Sequence, residues 1–463
     1  MTLKLYNSLS KNKEELKPLN NKVKMYSCGP TVYDNPHIGN FRAFVFFDML
    51  KKYLNFLNYD VEHVMNVTDI DDKIIQKCLG SSKSLEIITK KYFKNFKTDA
   101  QKLKIELPQK IPFATDHISE MIDLIKKLIK KNHAYKTDDG SVFFKIDSYK
   151  NYGILSKIDF SQLSKTDRVK KDEYDKNFVN DFALWKSRKE NDGDVFWDSP
   201  WGEGRPGWHI ECSAMSLKYL GSEFDIHCGG IDLLFPHHEN EIAQSVCATD
   251  KQFAKLWIHC EHLLVNGSKM SKSLNNFYTL DDIIKNGFDT DTIRYFLISS
   301  SYSHKINLNE TNLKFSKNSL KRLKDFYKKI SDLSKDDIEL DNDKIMSSSV
   351  INDFKIAMND NLNISKGLGV IFNWIKKINI KFNNKEISSE EASLIIGILN
   401  KIDDVLGVIR SSTIKLSQND KKLIEERNIA RKNKNWERAD EIRLFFKEKG
   451  INIDDSESGI IIK

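Results

Sequence analysis

Tyr26-Ser-Cys-Gly-Pro-Thr-Val-Tyr-Asp-Asn-Pro-His-Ile-Gly-Asn40 is the stretch on which the reading of the whole chain turns. Val23 to Tyr26 have strand composition, and Gly29, Pro30 and Pro36 keep the following connection non-helical. After Gly39 comes Phe41-Arg-Ala-Phe-Val-Phe-Phe-Asp-Met-Leu50, long and apolar enough for a buried helix. A strand, a Gly-containing turn and a helix make the junction where a nucleotide's phosphates can approach backbone N–H groups and a helix N-terminus. His37 stands at that junction and Cys28 at the strand's end. Taken alone, the stretch reads equally well as a tight turn with a solvated histidine.

Working outward, a second strand, Val61-Glu-His-Val-Met-Asn-Val67, ends in Thr68-Asp-Ile-Asp-Asp72. Polar residues at the carboxyl end of a strand lie where open parallel sheets bind ligands, and the same residues suit helix capping. From Ser84 to Lys131 the pattern is helical and amphipathic. Residues 133–204 change character, with hairpin alternation from Tyr135 to Ile146, and read as a subdomain inserted between two halves of a sheet. The second half runs over 205–307. It contains Phe224-Asp-Ile-His-Cys-Gly-Gly-Ile-Asp232, then Leu233 to Ala243 entering a helix with Pro236 at its first turn, then a strand from Trp257 to Val265. That strand ends in Asn266-Gly-Ser-Lys-Met-Ser-Lys-Ser273. Leu313–Leu333, Val350–Ile378 and Ser389–Ile409 carry apolar residues at helical spacing and form a bundle over 308–410. A linker at Ser411–Asn419 leads to a C-terminal module, 420–463, with a basic helix from Arg427 to Lys449 and a short strand pair. The fold class is therefore α/β: a Rossmann-like parallel sheet split by an insertion (first half 1–132), then a helical bundle and a small α/β module.

At 463 residues the chain expects several domains. A net charge of +7 permits a polyanionic partner, although Lys, Asn and Ile are abundant even where no motif occurs. Six cysteines without regular spacing argue for reduced thiols or metal ligation rather than a disulfide framework. The N-terminus lacks the apolar core of a secretory signal, and no long apolar run spans a membrane, so a cytoplasmic protein is expected; a small C-terminal block and no obvious interface stripe lead to the expectation of a monomer.

Two motifs, His37-Ile-Gly-Asn40 and Lys269-Met-Ser-Lys-Ser273, each follow a strand. Lys269 and Lys272, flanking small hydroxyl residues, suit a clamp for a triphosphate, and His37 can donate to the same phosphates as pyrophosphate leaves. Cys28, Cys212, His237 and Glu241 are candidate metal ligands, with His237 and Glu241 four residues apart on one helix face. Two thiolates, an imidazole and a carboxylate suit Zn²⁺. Their dispersed spacing also fits buried structural cysteines beside a capping His-His-Glu.

The two motifs resemble the HIGH and KMSKS signatures of the class I aminoacyl-tRNA synthetases, with Asn40 in place of the second His. Tyr26 to Tyr33, Gly207-Trp-His-Ile-Glu-Cys-Ser-Ala-Met215 and Phe235-Pro-His-His-Glu-Asn-Glu-Ile-Ala-Gln244 look like the blocks of the cysteinyl-tRNA synthetase family, and the resemblance covers nearly the whole chain. It implies one zinc held by Cys28, Cys212, His237 and Glu241, with His237 favoured over His238. It further implies ATP with Mg²⁺, L-cysteine and a cognate tRNA as substrates. Catalytic roles fall to His37, Asn40, Lys269 and Lys272, and ATP contacts to Gly39, His37, Lys272 and Asp232. Thr68 and Trp208 would wall the amino-acid pocket. Arg427, Arg431 and Trp436 are the candidate tRNA contacts of an anticodon-binding module, where charge and an aromatic ring can meet phosphates and an unpaired base. Cys78, Cys228, Cys247 and Cys260 read as ordinary thiols, and His209 and His227 as core histidines. Two other functions remain compatible: a cysteine ligase acting on a small amine, and a non-catalytic tRNA-binding paralogue.

Overall fold

The computed structural model describes residues 2–18, 21–81, 84–157, 181–270, 276–334, 341–410, 418–448, 453–456 and 459–462. Two compact units emerge, Met1–Val408 and Ile409–Lys463. No helix among the described residues is long and apolar enough to cross a membrane.

The first unit opens with a hairpin, β1 (Lys4–Asn7) and β2 (Asn12–Glu15). The second strand is Asn-Lys-Glu-Glu, too uniformly polar for an alternating pattern to show. Then come β3 (Lys22–Ser27), α1 (Ile38–Phe56) and β4 (Asp60–Met65). α2 (Asp72–Ser81), α3 (Leu85–Lys102) and α4 (Ile118–Lys130) follow. The amphipathic run from Ser84 to Lys131 is thus two helices, since Pro108 and Pro112 stand in the connection and exclude helix there. The insertion is an antiparallel sheet of β5 (Ala134–Lys136), β6 (Val142–Phe144), β7 (Phe182–Ser187) and β8 (Gly204–Pro206). The chain returns through α5 (Trp208–Leu220), β9 (Phe224–Gly230), α6 (Glu239–Thr249) and β10 (Ala254–Cys260). Helix α6 begins three residues beyond Pro236; Phe235 breaks the helical path before it, and the Phe235–Pro236 peptide is cis.

The central sheet is parallel, in the order β10-β9-β3-β4. The connection from β3 through α1 to β4 steps one way across the sheet, and that from β9 through α6 to β10 steps the other way. The winding therefore reverses between β3 and β9, and the crevice outside the carboxyl ends of such a pair is where ligands bind in this architecture. The backbone N–H of Cys28 donates to Cys228 O at 3.1 Å, so the two strands stay zipped to the rim of that crevice. Gly29 has no alternative: a Cβ there would lie 1.6 Å from Asn66 O.

The strand read over Trp257–Val265 is two strands. β10 stops at Cys260, and β11 (Leu263–Val265) joins a separate small sheet with β12 (Ser268–Lys269). After α7 (Leu280–Lys285) and α8 (Thr290–Ile298), β13 (Ile306–Leu308) completes that sheet on the other side of β11. The switch occurs at Glu261, whose N–H donates to Tyr302 O instead of to the central sheet.

The bundle comprises α9 (Glu310–Ser331), α10 (Asn342–Ser347), α11 (Ser349–Asn359), α12 (Ile364–Asn383) and α13 (Ser389–Leu406). The periodic run Val350–Ile378 is broken because Asn361 and Leu362 adopt positive φ and Asn363 caps α12. Helix α1 packs against α8 and α13 and shares a buried ion pair with α8. Arg294 Nη2 lies 2.6 Å from Asp48 Oδ2, both side chains fully buried, and Lys52 reaches the same carboxylate at 3.1 Å. Burial works against the charge on Asp48, but Arg294 and Lys52 hold its carboxyl below the usual carboxylate range. Arg294 also donates to the carbonyls of Leu103 and Leu406, so one guanidinium ties α1, α8, the end of α3 and the end of α13 together. Arg294→Ala leaves the buried Asp48 carboxylate with Lys52 alone and frees the carbonyls of Leu103 and Leu406, and is expected to cost about 3–5 kcal/mol in denaturant unfolding. A loss below about 1 kcal/mol, the range of an exposed pair, would rule out that role.

In the second unit the single helix expected from Arg427 to Lys449 is a helical pair, α14 (Gln418–Lys432) and α15 (Trp436–Glu448), followed by the hairpin β14 (Ile453–Ser456) and β15 (Gly459–Ile462). Lys434 takes φ 57° and Asn435 Oδ1 accepts from the Arg438 N–H, ending one helix and starting the next.

Candidate functional site

A cavity of about 310 Å³ opens at the reversal point of the central sheet. Of the residues singled out from the sequence, Cys28, His37, Gly39, Asn40, Thr68, Trp208, Cys212, Asp232, His237 and Lys269 all line it, although they come from distant parts of the chain. Glu241 lies fully buried behind His237. Lys272 falls outside the described residues, as do Ser271 and Ser273.

His37 is the N-cap of α1, and its geometry is reciprocal with Asn40. His37 Nδ1 accepts from the Asn40 N–H at 3.1 Å, and Asn40 Oδ1 accepts from the His37 N–H at 3.1 Å. This capping box commits the Asn40 carbonyl to the backbone and fixes the imidazole. With Nδ1 an acceptor, the neutral ring carries its proton on Nε2, where it is a donor. Gly39 permits the arrangement, since a Cβ at that position would sit 2.9 Å from His37 Nδ1. The segment just beyond the Lys-Met-Ser-Lys-Ser motif closes on this helix start. Ile38 N donates to Tyr278 O at 2.9 Å, and the His37 and Phe277 rings meet edge to face at 5.1 Å. The two motifs therefore share one mouth of the cavity, with Lys269 exposed on β12.

The ligand atoms of Cys28, Cys212, His237 and Glu241 all lie within 4.8 Å of one another, every residue buried. A second group, Cys28, His227, His238 and Glu241, meets the same limit and shares two members. The first group contains both thiols and three of its residues line the cavity; His227 and His238 lie behind. The hydrogen bond from Cys28 draws the Cys212 thiol down to about 6, while burial and Cys212 push the Cys28 thiol well up. Burial opposes ionisation of Glu241, but His227 and His237 hold its carboxyl at about 2. Burial also opposes charge on His237, yet its hydrogen bonds to Cys212 and Glu241 prevail and lift it to about 10. A proton on His237 thus offsets one of two buried negative charges. A divalent cation would replace that proton and the one on Cys28, and two thiolates, one imidazole and one carboxylate are a donor set that fits zinc.

The sequence reading left His209 and His227 as core histidines; the structure joins them to a cluster with His237, His238 and His259. His209 Nδ1 lies 2.9 Å from His237 Nδ1, His227 Nε2 2.9 Å from Glu241 Oε2, and His238 Nδ1 2.8 Å from His259 Nε2. Burial drives His209, His238 and His259 well below the usual imidazole range, so these rings are neutral hydrogen-bonding supports. The only signal in the sequence was their crowding: these make five of the chain's 11 histidines, all in the second-half blocks. Trp208, partly exposed, sets its ring 4.4 Å from that of His237 at a tilt of 38° and roofs the ligand group from the cavity side.

In the second unit Trp436 is 56% exposed and Arg431 partly so, but Arg427 is 3% exposed and packs inward, away from any phosphate outside the unit. Arg438 is neutralised by Glu426 and Glu441 at 2.9 and 2.6 Å.

Comparison with known proteins gives a consistent picture. Residues 15–318 match the family model for the catalytic domain of class I (C) tRNA synthetases, and residues 353–410 match a DALR domain. The chain is 45% identical to a protein named cysteine--tRNA ligase from Brachyspira hyodysenteriae, covering 98% of each chain. It is 43% identical to the protein of that name from Chlamydia muridarum over 100% of both, and 45% identical to that from Leptospira interrogans over 99% and 98%. Among solved structures, methionyl-tRNA synthetase of Mycobacterium tuberculosis in complex with methionyl-adenylate aligns with a TM-score of 0.58 at 13% identity, over 84% of this chain and 90% of that one. A putative arginyl-tRNA synthetase from Campylobacter jejuni aligns at 0.53 and 13%, over 84% and 92%. At such identity these two structures speak to the fold alone.

Proposed function

The chain belongs to the cysteine--tRNA ligase family of class I aminoacyl-tRNA synthetases, and on that premise we propose that it activates L-cysteine with ATP·Mg²⁺ to cysteinyl-adenylate, releasing pyrophosphate, and passes the cysteinyl group to the 3′ end of its tRNA with release of AMP. The observation that carries the proposal is the meeting, on one cavity of about 310 Å³, of the thiol-rich ligand group with His37, Gly39 and Lys269.

Cys28, Cys212, His237 and Glu241 would hold one zinc. Bound there, zinc supplies a soft Lewis acid for which a thiolate is a far better ligand than a hydroxyl, so cysteine is told from serine without an editing site. Every other task falls to the chain itself. His37, through Nε2, and Lys269 with Lys272 stabilise the negative charge that grows on the phosphates as pyrophosphate departs. Gly39 and the start of α1 bring backbone N–H groups to the same phosphates. Asp232, on the turn after β9, takes the ribose side of ATP, and Thr68 and Trp208 hold the amino acid. No protein nucleophile is needed, because the attacking groups are the cysteine carboxylate and then the ribose hydroxyl of tRNA; catalysis is positioning and electrostatics. The DALR region and the C-terminal unit face tRNA, with Arg431 and Trp436 as the surface contacts. The protein works in the cytoplasm as a monomer.

Cysteine-dependent ATP–pyrophosphate exchange on zinc-loaded protein, with serine as control and with and without a chelator, tests this reading. Exchange with cysteine alone, lost on chelation, is the expected result. Absence of exchange despite bound zinc and ATP would sink it. Charging of tRNA by the full chain, reduced when residues 411–463 are removed, would separate a tRNA acceptor from a small amine.

A further inference from the structure

Two tyrosines edge the part of the cavity that leads up to His37, and lysines surround both. Tyr33 lines the cavity from the turn before α1, and Tyr92 lines it from α3. Lys73 Nζ stands 5.1 Å from the centroid of the Tyr33 ring; Lys77 Nζ and Lys91 Nζ stand 4.4 and 5.3 Å from that of Tyr92. Lys77 also donates to Tyr33 O at 2.9 Å, and Asn95 Nδ2 donates to Asn35 Oδ1 at 2.8 Å, which fastens α2 and α3 to this rim. The charge is not neutralised within the two helices. Their acids are Asp72, Glu86 and Asp99, and each already has a cation: Asp72 meets Lys186 and Arg205, Glu86 meets Lys90, and Asp99 meets Lys102. Lys77 lies 3.6 Å from Asp34. Lys73, Lys91 and Lys94, all exposed, make no ion pair among the described residues.

Unneutralised lysines beside aromatic rings suit a single strand of nucleic acid: the ammonium groups track the phosphates, and a ring takes the face of any base. ATP does not account for these lysines, because His37 and Lys269 already stand on the same cavity for its triphosphate. The cavity, about 310 Å³, is too small for a duplex. An acceptor RNA that reacts there must bring in unpaired nucleotides, and they must cross the rim. Resting on the reading above of tRNA as the acceptor, we propose that Lys73, Lys91 and Lys94, with Tyr33, form the entry for its unpaired 3′ end. The lysines hold the backbone of the last nucleotides. Tyr33, the more exposed of the two rings, gives a base a surface to lie on as the terminal ribose reaches the adenylate. The entry lies within the region matched to the catalytic domain, and so serves a different part of the RNA from the DALR region and the C-terminal unit.

The test uses the full chain and two RNA hairpins of one sequence, the first ending in a short unpaired 3′ tail and the second blunt. Wild type should bind the tailed hairpin about 10–100-fold more tightly. The double variant Lys73→Ala/Lys91→Ala, which removes two exposed cations, should lose most of that preference. Its slope of log affinity against log salt for the tailed hairpin should be shallower by about 1.4, the counterion release of two single-strand phosphates. Tyr33→Leu should weaken the tailed hairpin by about 5–100-fold, the value of one stacked base, and Tyr33→Phe should restore it. Cysteine-dependent ATP–pyrophosphate exchange, which precedes any RNA, should be unchanged in the lysine variant. No tail preference in wild type, a preference kept by the lysine variant, or equal weakening of tailed and blunt hairpins overturns the proposal. A raised KM for ATP in exchange by the lysine variant also overturns it, and assigns these lysines to the nucleotide. If Tyr33→Leu does not fold, the lysine variant decides alone. A tail preference that the lysine variant loses, in a chain without exchange activity, overturns the ligase reading and leaves this entry standing.

Discussion

Cys212→Ser is expected to lose its zinc and, with it, nearly all preference for cysteine over serine. Cys212 is the group that its neighbours have already turned into an anion: the hydrogen bond from Cys28 draws its thiol down to about 6, and His237 and Glu241 close around it within 4.8 Å. A serine hydroxyl in its place stays protonated, and oxygen is the poorer donor to zinc. The three remaining ligands would be Cys28, His237 and Glu241, a single thiolate where the intact site offers two. A site built to bond one substrate group directly rejects the analogue lacking it by about 10⁴–10⁵, whereas a pocket that reads shape alone separates near-isosteres by only about 10². The cysteine-over-serine ratio in ATP–pyrophosphate exchange should therefore drop by about 10²–10³ in Cys212→Ser, with metal content near zero by atomic absorption. His237→Ala should behave alike. His238→Ala distinguishes the two overlapping ligand groups: it belongs only to the group with His227, so it should leave the zinc in place. Zinc retained by His237→Ala and lost by His238→Ala would move the ion to that second group and overturn the assignment made here.

The way this site was legible in the sequence, and the way it was not, have separate physical causes. The strand–turn–helix around Cys28 and His37 could be read because period, turn residues and an apolar helix all agree locally. The ligand group and the Lys-Met-Ser-Lys-Ser motif could be read because they resemble a family's blocks. What escaped were residues that matter only through packing. His227 and His259 sit on adjacent strands, β9 and β10, and His209 and His238 on elements beside them; nothing in their spacing says that these imidazoles gather around Glu241 and His237. Glu211, on α5, carries no signal in the sequence; only the fold brings Thr68, just past the end of β4, to donate to it. The capping box between His37 and Asn40 was not legible, because a motif records residue type, not which atom is already bonded. Arg427 was read as a surface cation because basic residues on a helix are usually outside. The helix breaks at Lys434 and at Asn361-Leu362 were hidden because non-glycine residues there take positive φ, which composition does not announce.

His37→Ala should lower the rate of cysteine-dependent exchange by about 10²–10³, the cost of one preorganised donor aimed at developing charge, with the KM for cysteine unchanged. The argument rests on where the ring is held. Nδ1 is tied to the Asn40 N–H, so Nε2 is the donor, and the edge of Phe277 and the Tyr278 carbonyl pin the helix start from the other motif's side. Asn40 lies in the same four-residue cap but has a different task. Its Oδ1 accepts from the His37 backbone, so its expected effect is on the angle of the imidazole. Removing a cap partner costs about 0.5–2 kcal/mol, so Asn40→Ala should slow exchange by roughly tenfold. Because the amide works through the ring, adding Asn40→Ala to His37→Ala should cost almost nothing further; residues that act as a unit are not additive. The double-mutant cycle in single-turnover exchange is therefore the deciding measurement. An Asn40→Ala loss as large as that of His37→Ala, and additive with it, would put the amide on the phosphates and make the fourth residue of the motif a ligand in its own right.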